Sequence, residues 1–166
     1  MSWIWIDHFV EFASGRRASA VKMVTASEGY LQELPSGDPV LPAVLMIEGM
    51  AQTAGILVGE ARGFAENVIL AKIRCARFDD YAKPGDRLRY DAVIDSLDDR
   101  AGVTSGTVFK NEAPIGQVDL IFSHINPADR SLDLPDHNFV FTESFMSLLA
   151  TFRNHGVEKV EQPGAG

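Results

Sequence analysis

Glu48 and Gln52 stand four residues apart in a run of otherwise apolar or small residues, the only strongly polar side chains in its first three helical turns. That spacing puts both on one face of a helix. A carboxyl group held there can give or take a proton during a reaction, and an amide one turn on can support it. Burying an acid without such a purpose is costly. The competing use is an acid satisfied by hydrogen bonds in a subunit interface, and these two residues alone do not decide between the readings.

The other chemistry-bearing residues form no comparable set. His8 falls beside an N-terminal apolar segment, and His137 and His155 lie in the C-terminal region. His124 continues the face of Val118, Leu120 and Phe122, which suits a hydrogen-bonded structural histidine. Cys75 is alone and cannot close an internal disulfide. With no glycine-rich phosphate loop, paired cysteines or His-x-x-x-His pattern, the residues ask for no nucleotide, metal or other cofactor.

The run that carries Glu48 spans residues 42–62 and is expected to be the main helix, with Pro42 at the first helical position, where its missing donor costs nothing. Apolar or small residues surround it on nearly every side, so a sheet must wrap it. Gly49, Gly55 and Gly59 each cost about 1 kcal/mol relative to Ala, which implies close approach of another backbone. The alternative of a membrane span is set aside because Glu48, Gln52 and Thr53 sit mid-run, and an acid at mid-bilayer costs about 2.5 to 3.5 kcal/mol.

Strands supply the wrapping. Leu88, Tyr90, Ala92 and Ile94 alternate with Arg87, Arg89, Asp91 and Asp95 at the period of a half-buried strand. Residues 103–110 follow an expected turn at 98–102, and residues 115–125 follow one at 111–114, which makes an antiparallel meander. Residues 68–78 and 18–24 bring the total to at least five strands. Phe145, Leu148, Leu149 and Phe152, between Thr142 as cap and Gly156 as stop, predict an amphipathic helix over 142–155 on the outside of the sheet. One domain over 1–157 with a frayed tail at 158–166 is expected.

Composition agrees with one folded domain: 166 residues, 46% apolar and 23% charged, exclude disordered, collagen-like and disulfide-rich classes. Fifteen basic residues against twenty-three acidic ones give a net charge of −8, so the chain as a whole repels nucleic acid and anionic lipid. Residues 1–12 carry no basic start followed by a long apolar core, and a cytoplasmic protein is expected.

The run Gly37-Asp38-Pro39-Val40-Leu41-Pro42-Ala43-Val44-Leu45-Met46-Ile47-Glu48-Gly49-Met50-Ala51-Gln52 resembles the signature of the bacterial 3-hydroxyacyl-acyl-carrier-protein dehydratases. Ile6-Asp7, Gly15-Arg16-Arg17-Ala18, Leu70-Ala71-Lys72-Ile73, Ala76-Arg77-Phe78 and Pro84-Gly85-Asp86 extend the likeness over residues 5–125. The resemblance implies an α+β hotdog fold: a curved antiparallel sheet of five or six strands around a long helix, dimerising into one continuous sheet with acyl chains between subunits. It implies that a histidine in the loop before the helix handles the thioester α-proton while the partner subunit's helix glutamate handles the β-hydroxyl. Glu48 matches that glutamate, and Gln52 matches the supporting glutamine one turn later. Leu34, Pro42, Ala43, Val44 and Phe78 fall at substrate-contacting positions, and the amides near Ala43 and Val44 suit the charge that develops on a thioester enolate.

Here the chain departs from the family pattern. Where the family reads His-Phe-Pro-Gly-x-Pro, this sequence reads Leu34-Pro35-Ser36-Gly37-Asp38-Pro39, and ungapped counting from either flank sets Leu34 at the histidine. A shifted pairing instead makes Glu33 the substitute base but needs two compensating length changes. The motif's glycine is replaced by Ala43. Three roles follow as expectations: a dehydratase acting on acyl-carrier-protein or coenzyme A thioesters as a homodimer, a non-catalytic acyl binder or heterodimer partner of an active homologue, and a hotdog thioesterase with Glu48 activating water. Lys72, Arg74 and Arg77 could meet an acidic carrier protein, although a solvated strand face is the commoner use of such charges.

Overall fold

The computed structural model describes residues 4–126 and, beyond them, residues 140, 142, 143, 146, 147, 149 and 150. Strands β1 (His8–Ala13) and β2 (Arg17–Met23) form the first hairpin, and the short β3 (Gln32–Glu33) and β4 (Pro39–Val40) lead into helix α1 (Ala43–Ala61). Then come β5 (Asn67–Phe78), β6 (Arg87–Leu97), β7 (Ala101–Lys110) and β8 (Ala113–Ile125). Six strands make one antiparallel sheet in the order β1-β2-β6-β7-β8-β5. This is the α+β hotdog arrangement that the resemblance implies, with β6, β7 and β8 as the expected meander.

Alternation decides which face meets the helix. Leu88, Tyr90 and Ala92 on β6, Val108 on β7, and Val118, Leu120 and Phe122 on β8 all point inward and are buried. They close over Met46, Met50, Ala54 and Leu57 of α1 to form the core. The helix is long and apolar enough to cross a bilayer, but its burial in the sheet makes it a core helix.

Three local expectations change. A Cβ on Gly49 would lie 2.4 Å from Tyr90 Cζ, and one on Gly55 would lie 3.3 Å from Phe122 Cε1, so aromatic rings, rather than a neighbouring backbone, press on these helix glycines. Nor is the helix buried all round: residues 53–59 are buried, but Val44 is 66% exposed and Leu45, Ile47, Glu48, Ala51 and Gln52 are half-buried. The turns are also shorter than expected, because β7 already begins at Ala101 and β8 at Ala113. Asn111 and Glu112 alone make the last hairpin turn with φ of 48° and 69°, the positive values a two-residue turn demands.

At the C-terminal end, Glu143, Met146, Ser147, Leu149 and Ala150 have helical backbone, and the Met146 amide donates to the Thr142 carbonyl at 2.9 Å. Leu149 is 3% exposed and joins the main core. Phe145, Leu148, Phe152, His137, His155 and residues 158–166 lie outside the described residues.

Candidate active site

The start of α1 is set by Pro42. Its φ of −56° and ψ of 137° are extended, so it is the residue flanking the helix, one position before the first helical residue expected of it. The first turn holds no acidic residue and no side-chain cap. Ala43 and Val44, both exposed, therefore sit at the positive end of the helix.

More than two turns further in, Gln52 lies between two partners. Its side-chain oxygen accepts from the Trp5 backbone amide at 2.8 Å, and its Nε2 donates to Glu48 Oε1 at 3.1 Å. A backbone N–H can only donate, so the amide oxygen of Gln52 must face Trp5 and its NH₂ must face Glu48. Glu48 Oε1 is consequently an acceptor, and any proton on this carboxyl belongs on Oε2. Trp5 is itself held: its ring meets Tyr30 edge-on at 5.4 Å, and the Lys22 ammonium lies 5.7 Å from the ring centroid. Lys22 is 2.8 Å from Glu28 in an ion pair with side chains 9% and 13% exposed. Burial this deep makes breaking the pair costly, which anchors the segment before β1 whose Trp5 amide orients Gln52.

Glu48 and Gln52 form the polar end of an open cavity of about 240 Å³. Its walls run along the helix face past Gly55 and Ile56, with Val68 and Phe122 from the sheet and Val140 from the C-terminal segment. A carboxyl oriented by a neighbouring amide at one end and hydrocarbon walls at the other suit proton transfer on the polar head of an apolar-tailed molecule.

The other sequence candidates lie elsewhere in the protomer. Glu33 is exposed on β3, opposite Pro39, and Leu34 is half-buried at the base of the hairpin turn. The Leu34 amide donates to the Asp38 carbonyl at 2.9 Å, and the Gly37 amide, at φ 85°, donates back to Leu34 at 2.8 Å. Neither Glu33 nor Leu34 lines the Glu48 cavity, and nor do Pro42, Ala43, Val44 and Phe78. Phe78 ends β5 and lies over Gly116, far along the strand from Val68.

His124 serves the opposite end of the helix. Its side chain is 1% exposed, with Nδ1 3.2 Å from Glu66 Oε2. Arg62, at the C-terminus of α1, also pairs with Glu66 at 2.6 Å. Burial holds the imidazole below its ordinary range despite the opposing pull of Glu66, while the Arg62 hydrogen bond lowers the Glu66 carboxyl. Arg62 and Glu48 are fourteen positions apart, about 20 Å along a helix, so His124 is no partner for Glu48.

Sequence reasoning missed Trp5, Lys22, Glu28, Tyr90 and Val140. The alternation of β6 puts Tyr90 on the inner strand face, but nothing in the sequence pairs it with Gly49. Its hydroxyl is buried without a hydrogen-bond partner among the described residues, and burial pushes its ionisation upward.

Comparison with known proteins identifies the family and the fold. Residues 4–118 match the model of the FabA-like domain. The chain is 32% identical over 122 residues to the 3-hydroxyacyl-[acyl-carrier-protein] dehydratase FabZ of Pelotomaculum thermopropionicum, covering 73% of this chain and 87% of that one. Against the FabZ of Rhizobium rhizogenes it is 37% identical over 92 residues, covering 55% and 59%. Among solved structures, the dehydratase heterocomplex ApeI:P from Xenorhabdus doucetiae superposes with a TM-score of 0.63 at 18% identity, covering 74% of this chain and 84% of that one. A thioesterase from Haemophilus influenzae gives a TM-score of 0.59 at 16% identity, covering 72% and 79%, a likeness of fold alone. With the matched domain spanning the helix, the Glu48–Gln52 pair and the sheet as far as the middle of β8, the chain belongs to the FabA-like family.

Proposed function

We propose that this chain is a 3-hydroxyacyl-[acyl-carrier-protein] dehydratase-like protein of fatty-acid or related acyl-chain biosynthesis, acting in the cytoplasm on thioesters held by acyl carrier protein or coenzyme A. The observation that carries the reading is the pairing of Gln52 with Glu48 at the polar end of an apolar cavity. In dehydration a base removes the α-proton, the electron pair moves into the new α,β double bond, and the β-hydroxyl leaves as water. Glu48 supplies the proton that the departing hydroxyl needs, from Oε2. The amides at Ala43 and Val44 stabilise the negative charge that builds on the thioester oxygen. The base comes from a second subunit, with Glu33 the candidate under the shifted pairing. A homodimer is supported by β5, a sheet edge in this protomer with Leu70 and Ile73 exposed 37% and 44%.

The test incubates the purified protein with a short 3-hydroxyacyl thioester and its 2-enoyl counterpart, following interconversion and thiol release together. Interconversion that Glu48→Gln abolishes supports the dehydratase. Glu48-dependent release of thiol instead identifies a thioesterase.

A second reading rests on Leu34, which under the ungapped pairing falls where the family's pattern has histidine. In it the chain is the partner of a histidine-bearing homologue and lends Glu48 to a shared site. Turnover that appears only on mixing with such a homologue, and is lost with Glu48→Gln, supports this reading.

A further inference from the structure

The FabA-like match ends at residue 118, yet the chain beyond it returns to the cavity that holds Glu48. Val140 lines that cavity together with Ile56, Val68 and Phe122. Its backbone amide donates to the side-chain oxygen of Asn67 at 3.1 Å, and Asn67, wholly buried at the start of β5, is a fixed anchor. Nine residues on, Leu149 is buried in the main core, a second attachment for the same segment.

The order along the helix says which end Val140 occupies. Glu48 and Gln52 come first, Gly55 and Ile56 one to two turns later, and the chain then passes from the end of α1 to Asn67. Val140 therefore stands at the apolar end, away from the carboxyl group. Phe122 narrows the same region, since even a methyl group on Gly55 would touch its ring.

We infer that Val140, held by Asn67, is the end wall of the acyl site and limits the length of chain the protein accepts. The inference rests on the acyl-thioester reading of this cavity. Its volume of about 240 Å³ is below the roughly 300 to 1,000 Å³ of ordinary small-molecule pockets. Each methylene buried along the walls raises affinity about fourfold, and a methylene that cannot enter raises it not at all. Affinity should climb with chain length from butanoyl and level off once the chain reaches Val140.

The experiment measures calorimetric binding of saturated acyl-coenzyme A thioesters, from butanoyl to tetradecanoyl, to the full chain and to Val140→Ala and Val140→Phe. Val140 is only half-buried, so both variants should fold, and melting curves check it. The expected result is a break in the series that moves to longer chains in Val140→Ala and to shorter chains in Val140→Phe, with butanoyl affinity within about threefold throughout. A break at one length in all three proteins, a series that climbs without a break, or no binding of any chain overturns the inference. Dehydration is assayed separately with Glu48→Gln. A moving break without turnover leaves the end wall standing and removes the dehydratase reading, whereas turnover with an unmoved break does the reverse.

Discussion

Gln52 presents its NH₂ group to Glu48 because its oxygen is already committed to the backbone amide of Trp5, at 2.8 Å on one side and 3.1 Å on the other. The orientation of a helix carboxyl is thus decided through Gln52 by a residue 47 positions before that glutamine. Under the proposed function Gln52 is a positioning residue, and Glu48 is the group that would meet substrate.

Replacing Gln52 with Ala removes both hydrogen bonds and leaves the Trp5 amide without its partner, at a cost of about 1 to 3 kcal/mol in stability. Gln52→Glu should be worse for activity than for folding, because a second acid beside Glu48 repels its charge and alters when it holds a proton. The expected outcome is a kcat–pH profile displaced in Gln52→Glu, with KM changed little. Glu48→Gln should lower kcat by about 10²- to 10⁴-fold with no displaced profile. Steady-state kinetics across pH on the three proteins separates the two roles.

Gly49 and Tyr90 give a prediction about packing. A methyl group at Gly49 would sit 2.4 Å from the Tyr90 ring, which is buried on all sides and has nowhere to move. Gly49→Ala should therefore destabilise by about 1 to 3 kcal/mol, although Ala favours helix. Tyr90→Phe works in the opposite direction. It deletes a buried hydroxyl that has no partner among the described residues and should raise the melting temperature. Thermal unfolding of both variants checks the pair of signs.

The His124–Glu66 contact makes stability depend on pH. Burial holds folded His124 below its ordinary value of 6.5, so between about pH 7 and pH 5 the unfolded chain takes up a proton that the folded one refuses. Stability present above the ordinary value is lost as pH falls through that window. Glu66, lowered from 4.5 by Arg62, adds a further loss only in more acidic solution. Melting temperature should fall from about pH 7 to pH 5, and His124→Gln should flatten that slope. An equal slope in both proteins would remove His124 as its source.

What the sequence makes legible is set by the range of each signal. β6 and α1 are readable because alternation and helical spacing lie within a few neighbouring residues, and Glu48 and Gln52 are read with the helix that carries them. β1 escapes because its register slips between Phe9 and Glu11, which breaks the alternation, and only Phe9 in it is fully buried. β3 and β4 are two residues each, too short for any periodic signal. The clamp on Gln52, the ring on Gly49 and the Asn67–Val140 bond join residues 47, 41 and 73 positions apart, the middle value being 90 minus 49. Such contacts follow from the closed sheet, and local pattern does not carry them.

Leu34 decides between the two ways of matching the hairpin to the family's histidine. Its backbone makes two hydrogen bonds that do not involve its side chain, so Leu34→His can be introduced without breaking the turn. If Leu34 holds the position of the base, Leu34→His should raise dehydration of a 3-hydroxyacyl thioester by about 10²- to 10⁴-fold, and Glu48→Gln should cancel the gain. If Glu33 is the base, Leu34→His adds nothing and Glu33→Gln silences whatever turnover the natural chain has. The comparison also bears on the partner reading, because a chain that becomes active by itself on gaining one histidine has every other group of the site in place, including Glu48 offered to a copy of itself. A Leu34→His protein still inactive alone but active with a histidine-bearing homologue would mean that the homodimer does not bring Glu48 and the hairpin together.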